Sequence, residues 1–169
     1  MKKKGICLVL AMMLVLGIFG GAALAANRPQ SVFSGGLSMW SIPGTGSITY
    51  LDADYERAFN ADFSFHGKAS LGLESGITII RGLLGIKKYL SSTGPEGLWI
   101  GGYGSLDYWS ITIPGWFSWS GTFFGFGAEG GYRYFFTPNL SVEPFAQVGY
   151  YTAGVGFAFT FGANVAYSF

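Results

Sequence analysis

The segment from Phe157 to Phe169 reads "FAFTFGANVAYSF". Its alternate residues Phe157, Phe159, Phe161, Ala163, Val165, Tyr167 and Phe169 are apolar, and those between are small or polar. A period of two places successive side chains on opposite faces of a β-strand. The same alternation recurs along the chain, broken by Gly, Pro, Asn and Ser clusters that signal turns. It predicts eight strands, at about 31–40, 48–59, 63–73, 77–90, 98–110, 122–136, 140–151 and 157–169. The longest predicted loop is "ITIPGWFSWSG" at 111–121. No stretch after residue 26 is long and apolar enough for a transmembrane helix, since "ITIIRGLLGI" is short and contains Arg81.

The polar faces carry the charges. On the second strand Asp52, Asp54 and Glu56 oppose Leu51, Ala53 and Tyr55. On the third, His66 and Lys68 share a face opposite Phe63, Phe65, Ala69 and Leu71. A tight turn about residue 60 would set Asp52 opposite Lys68 and Asp54 opposite His66. A turn at Pro138 would likewise bring Arg133 to Glu143 and Glu129 to Gln147. Acids and cations then lie side by side on neighbouring strands, an arrangement that stabilises a pair.

Two architectures fit an apolar face backed by matched charges. In a soluble sandwich or lipocalin-like barrel the apolar face is the core, and charge matching is incidental. In a membrane barrel the apolar face meets lipid and the charges fill the lumen, where burial demands that they be paired. Composition favours the second. Half the chain is hydrophobic, 18% is aromatic and 11% is charged, against about 25% charged in a typical soluble domain. Tyr89, Tyr132, Tyr134, Phe136, Tyr167 and Phe169 fall at predicted strand ends, as an interfacial aromatic girdle requires. Backbone groups in lipid must be satisfied within the protein, so the sheet must close. The expected fold is all-β: an eight-stranded antiparallel up-and-down transmembrane β-barrel.

Residues 1–25 read differently. Lys2, Lys3 and Lys4 precede an apolar run from Ile6 to Phe19, and Ala23-Leu24-Ala25 supplies a small-x-small site, the pattern of a cleaved secretory signal peptide. The barrel domain is then 26–169. Cleavage leaves 7 Lys+Arg against 9 Asp+Glu, a net charge of about −2, with no basic patch to attract nucleic acid. Cys7, the one cysteine, leaves with the leader, so the mature chain forms no disulfide and no Cys-based metal site.

"GYRYFFTPNLSVEPFAQVGY" (131–150) and "GIKKYLSSTGPEGLWIGGYGSLDYW" (85–109) resemble the strand–turn–strand units of the small outer-membrane β-barrel family, the eight-stranded OmpA/OmpX type. Val165, Tyr167 and Phe169 resemble the C-terminal signal read by the barrel-assembly machinery. The resemblance implies a bacterial outer-membrane location, contact with membrane lipids and lipopolysaccharide, and both termini in the periplasm. Turns at 60, 91–97 and 137–139 are then periplasmic, and 41–47, 74–76, 111–121 and 152–156 extracellular. Loops of adhesive members are long, whereas here they are short and nearly uncharged. Trp116, Phe117 and Trp119 in the 111–121 loop are expected to extend the girdle, with insertion into the outer leaflet or capture of an apolar partner as the alternative.

Candidate chemistry is sparse. His66 is the one histidine, and it is followed by Gly67-Lys68 rather than by the His-x-Ser of the lipid A deacylases of similar size and fold. Flanked by Asp54 and Glu56, it is expected to be an ion-pair member and not a catalyst. No cofactor or metal site is expected, because Lys68 and Arg57 already offset the acids around His66. "GGYG" and "GFGAEGG" open no helix, so they do not form phosphate loops. Eight strands leave room only for side chains. Asp52, Asp54, Glu56, His66, Lys68, Arg81, Lys87, Asp107, Glu129, Arg133 and Glu143 would occupy that room. The expected protein is a monomeric structural or surface-interaction barrel, neither an enzyme nor an open pore. A lipid-modifying enzyme or apolar-ligand binder at the outer leaflet is the alternative.

Overall fold

The computed structural model describes residues 31–44, 46–74, 76–90, 95–113, 115–152 and 154–169. The predicted leader, residues 1–25, lies outside them. The described chain forms eight strands: β1 Ser31–Ile42, β2 Gly46–Ala58, β3 Phe63–Glu74, β4 Ile77–Tyr89, β5 Gly97–Ile113, β6 Phe117–Phe135, β7 Leu140–Tyr151 and β8 Gly156–Ser168. Each pairs antiparallel with its sequence neighbour, and β1 pairs with β8, closing the barrel. At the seam the Ser31 amide donates to the Phe169 carbonyl at 3.2 Å, and the Phe169 amide donates to Ser31 at 2.9 Å. Closure leaves no strand without a neighbour, which a spanning sheet requires. No described helix is long and apolar enough to cross a membrane.

The period-two pattern sorts the faces as expected. Phe33, Leu51, Leu84, Ile100, Phe126, Phe161 and Val165 point outward and are exposed, while Asp52, Glu56, His66, Lys87, Glu129 and Arg133 are buried inside. This molecule is turned inside out relative to a soluble domain, with its charges in the interior and its aromatics on the exterior. Tyr132, Tyr134, Phe136, Tyr167 and Phe169 project outward near the rim that carries the chain ends.

Three expectations need correction. First, the β2–β3 register is offset by two residues: Asp54 faces Lys68, Glu56 faces His66, and Asp52 faces Ser70. The cause lies in the turn. The Asn60 side-chain oxygen accepts from the amides of Asp62 and Phe63, at 2.9 and 2.8 Å, and the Phe59 amide donates to Phe63. Phe59 and Phe63 thus close a three-residue turn, 60–62, which centres the hairpin on residue 61. A shift of two preserves the faces, so only the partners change. Second, Tyr89 is no girdle residue. It continues the inward row of Ile79, Arg81, Leu83 and Lys87 and is buried. Third, most of 111–121 is strand, with β5 running to Ile113 and β6 beginning at Phe117. The β6–β7 register follows expectation, with Glu129 opposite Gln147.

Candidate functional site: the filled lumen and the β5–β6 hairpin

The lumen contains two polar clusters. In the one nearer the chain ends, β2 presents Asp54 and Glu56, β4 presents Lys87, β6 presents Arg133 and β7 presents Glu143. Lys87 Nζ lies 3.0 Å from Glu56, 2.9 Å from Glu143 and 3.8 Å from Asp54. Arg133 Nη2 donates to Glu56 at 2.8 Å and also pairs with Glu143. Tyr89 and Ser64 donate their hydroxyls to Glu56 Oε1, at 2.7 and 2.8 Å. Glu56 thus accepts from four side chains of three other strands, and these contacts tie β2, β3, β4 and β6 together. Lys87, expected in the lumen, and Tyr89, expected in the girdle, are both central here. The place of Tyr89 could have been read from the period-two row that runs through Arg81 and Lys87.

His66 continues this cluster. Its Nε2 is 2.6 Å from Glu129 and its Nδ1 is 3.4 Å from Asp54, so it contacts Asp54 diagonally although the ladder pairs Asp54 with Lys68. Gln147 donates to the other Glu129 oxygen at 2.9 Å. With a carboxylate at each nitrogen, the ring can donate to both only when it carries both protons. Neither nitrogen is left to activate a nucleophile, and the nearby Ser64 hydroxyl is spent on Glu56. A Cβ at Gly85 would collide with His66 Nε2, so the bare backbone there gives the ring its space. The Lys68 ammonium sits 3.7 Å above the Phe145 ring, a cation–π contact. Among the described residues no group of His, Cys, Asp and Glu is arranged to hold a metal ion.

The second cluster lies towards the opposite rim. Arg81 Nε donates to Asp107 at 2.5 Å, and Ser105 donates to the other Asp107 oxygen at 2.8 Å. The Arg81 guanidinium is boxed by Trp40, Tyr50 and Tyr151, 5.0–5.4 Å from their centroids. Above it the interior turns apolar. Trp40, Tyr50, Ile79, Tyr151 and Ala158 form a buried cluster, with Ile42, Ile48, Ile77, Trp109 and Val155 packed against it. Asp52 is buried in the lumen between the two clusters.

This apolar interior continues onto the long hairpin. β5 has 17 residues and β6 has 19, against 12 in β1, β3 and β7. β7 ends at Tyr151 opposite Gly125, so β6 rises past it. At this height the polarity of the two faces exchanges. Within the barrel wall β6 shows Phe124 and Phe126 outward, but higher up Thr122, Ser120 and Ser118 take the outward positions. The axis-facing row becomes Phe123, Trp119 and Phe117. Rings connect it to the mouth: Trp119–Phe123 at 5.7 Å, Phe123–Trp109 at 5.3 Å, Trp109–Trp40 at 5.2 Å and Trp40–Tyr151 at 5.7 Å. The expectation that Phe117 and Trp119 extend a lipid-facing girdle is therefore corrected, because they lie on the barrel-axis side. Trp116, at the turn, is 92% exposed. The face exchange fits a segment that has left hydrocarbon for water: hydroxyls turn outward and aromatics turn towards the mouth.

Comparisons with known proteins concern the fold. Neither protein-family profiles nor curated protein sequences yield a match. Solved structures do. Neisserial surface protein A matches with a TM-score of 0.66 at 16% identity, covering 82% of this chain and 96% of that one. The N-terminal β-barrel domain of Pseudomonas aeruginosa OprF matches at 0.63 and 14% identity, over 83% and 98% of the two chains. Ail, the attachment invasion locus protein of Yersinia pestis, matches at 0.59 and 15% identity, over 84% and 99%. The chain has the closed, antiparallel, eight-stranded fold of these small outer-membrane barrels.

Proposed function

We propose that this chain is an integral outer-membrane barrel that conducts nothing and serves a structural or surface-interaction role at the cell envelope. The carrying observation is the filled lumen, in which ion pairs and buried rings occupy the bore from one rim to the other. In this reading residues 1–25 direct export and are removed. Val165, Tyr167 and Phe169 are presented to the assembly machinery, and the finished barrel is a monomer in its own membrane, in contact with lipid and lipopolysaccharide. The rim with the chain ends is periplasmic, and the β5–β6 hairpin is extracellular. Planar-bilayer recording from pure protein tests the sealed bore. The expected trace is flat, and sustained, reproducible single-channel currents would overturn the reading.

A second reading, an apolar-ligand binder, is favoured by the aromatic face of the hairpin above the mouth. It expects saturable quenching of tryptophan fluorescence by a brominated acyl chain, lost in Trp119→Ala. A lipid-modifying enzyme draws no such support, since both His66 nitrogens are already engaged by carboxylates.

A further inference from the structure

The β5–β6 hairpin leaves an open sheet edge. Residues 117–123 of β6 pair with 107–113 of β5 on one side. On the other side β7 has already ended, and the last link is Phe124, which receives the Thr152 amide on its carbonyl at 2.8 Å and donates its own amide to the Thr152 hydroxyl at 3.1 Å. Strand parity follows from that link. Because Phe124 directs its backbone groups to the β7 side, Thr122, Ser120 and Ser118 direct theirs to the same side, beyond the end of β7. Such edges are normally blunted by charge, proline or shortness. Here no charged residue occurs from Tyr108 to Ala128.

We propose that this edge pairs antiparallel with the same edge of a second copy of the chain, about a two-fold axis through Ser120. The sequence 117–123, "FSWSGTF", is close to symmetric about its centre. The pairing sets Phe117 against Phe123, Ser118 against Thr122, Trp119 against Gly121 and Ser120 against itself. Each match joins like to like or large to small. The backbone parity agrees: the edge-facing residues 118, 120 and 122 are themselves symmetric about Ser120, so their amides and carbonyls meet as hydrogen-bonded pairs. Trp119 and Gly121 fall at the closer, non-bonded position. A Cβ at Gly121 would come within 2.8 Å of the ring of Trp119 in its own chain, so glycine here also lets that indole lie flat. The aromatic faces of the two hairpins then form one surface, the self-complementary contact of an isologous pair.

The axis fixes the setting. An antiparallel pair of identical strands is related by a rotation perpendicular to the sheet, and that rotation inverts the direction in which the hairpin rises. The two barrels therefore sit in facing membranes, which leaves each a monomer within its own. Ser120 lies four residues above Phe124, roughly 13 Å of strand at about 3.3 Å per residue, and so above the level at which β7 ends. One seven-residue edge is a small contact, so attraction accumulates over many copies across two surfaces.

The inference rests on the outer-membrane reading, with the hairpin outside the cell. Proteoliposomes of the full barrel in phosphatidylcholine test it by light scattering. Wild-type vesicles are expected to cluster with one another and to ignore protein-free vesicles. Ser120→Lys places two ammonium groups at the axis and Ser120→Glu two carboxylates, so neither variant clusters alone. Mixing Lys-bearing with Glu-bearing vesicles restores clustering. Absence of wild-type clustering, clustering by Ser120→Lys alone, or equal recruitment of protein-free vesicles would each overturn the proposal, the last pointing to lipid as the occupant. Every sample is also run boiled and unboiled on a detergent gel. Loss of the mobility shift in the wild type would strike the barrel reading itself and not the pairing.

Discussion

Arg133→Ala is the most informative single change in the lumen. Arg133 is buried against Glu56 and Glu143, and Lys87 bridges the same two carboxylates. Removing the guanidinium leaves two buried carboxylates to share one ammonium. Deleting one partner of a buried ion pair costs about 3–5 kcal/mol, because the remaining charge stays desolvated. Lys87 offsets part of that loss here, so the lower end, about 3 kcal/mol, is expected. Ser118→Ala on the exposed hairpin should lie within about 0.5 kcal/mol of wild type, as surface substitutions do. Reversible urea unfolding in lipid vesicles reads both from the shift in midpoint at constant slope. Adding Glu143→Gln to Arg133→Ala should recover part of the loss, since the excess negative charge is then removed, and the coupling should exceed about 0.5 kcal/mol. Equal midpoints for Arg133→Ala and Ser118→Ala would refute the argument, because Arg133 could then not be a desolvated partner.

Gly85→Ala puts a methyl against the His66 ring, so overpacking should cost about 1–3 kcal/mol in the same assay. Asn60→Ala removes the acceptor of two turn amides and should cost about 1 kcal/mol, with no change in tryptophan emission. Phe169→Ser should lower the yield of heat-modifiable barrel in the outer membrane while leaving refolding from urea intact, and an unchanged yield would remove Phe169 from the assembly signal.

Much of the fold was legible because its faces obey one rule. Lipid on one side and a narrow lumen on the other force strict alternation, so the inward acids, cations and outward aromatics were assigned from sequence spacing alone. The β6–β7 pairing was readable as well, since Glu129 and Gln147 match across a short turn. Errors arose where side chains override spacing. At the β2–β3 turn the Asn60 carboxamide closes a larger loop than the sequence interval suggests, so Glu56, not Asp54, faces His66 in the ladder. Residues 111–121 looked like a loop because the lipid-facing stripe stops at Tyr108. The strand does not stop there; its faces exchange polarity on leaving the membrane, and the regular hydroxyls of Ser110, Thr112, Ser118, Ser120 and Thr122 were the available sign. Convergence on Glu56 was not readable, because contacts across a bore depend on strand tilt and side-chain reach rather than on neighbouring strands.

The β1–β8 seam has a consequence for how the molecule comes into being. Ser31 and Phe169 are hydrogen-bonded neighbours although 138 positions separate them, so the final stitch joins the most distant parts of the described chain. Every hairpin is local and can zip early, whereas the seam waits for all of them. A chain stopped before β8 is an open sheet with two raw borders and a charge lattice left uncovered along one side, since β8 adds no charge of its own but closes the wall around those of β2 to β7. Completion is thus close to all-or-none, and a truncated product has no comfortable resting state. The same stitch that makes the finished barrel durable makes any unfinished one conspicuous to proteases.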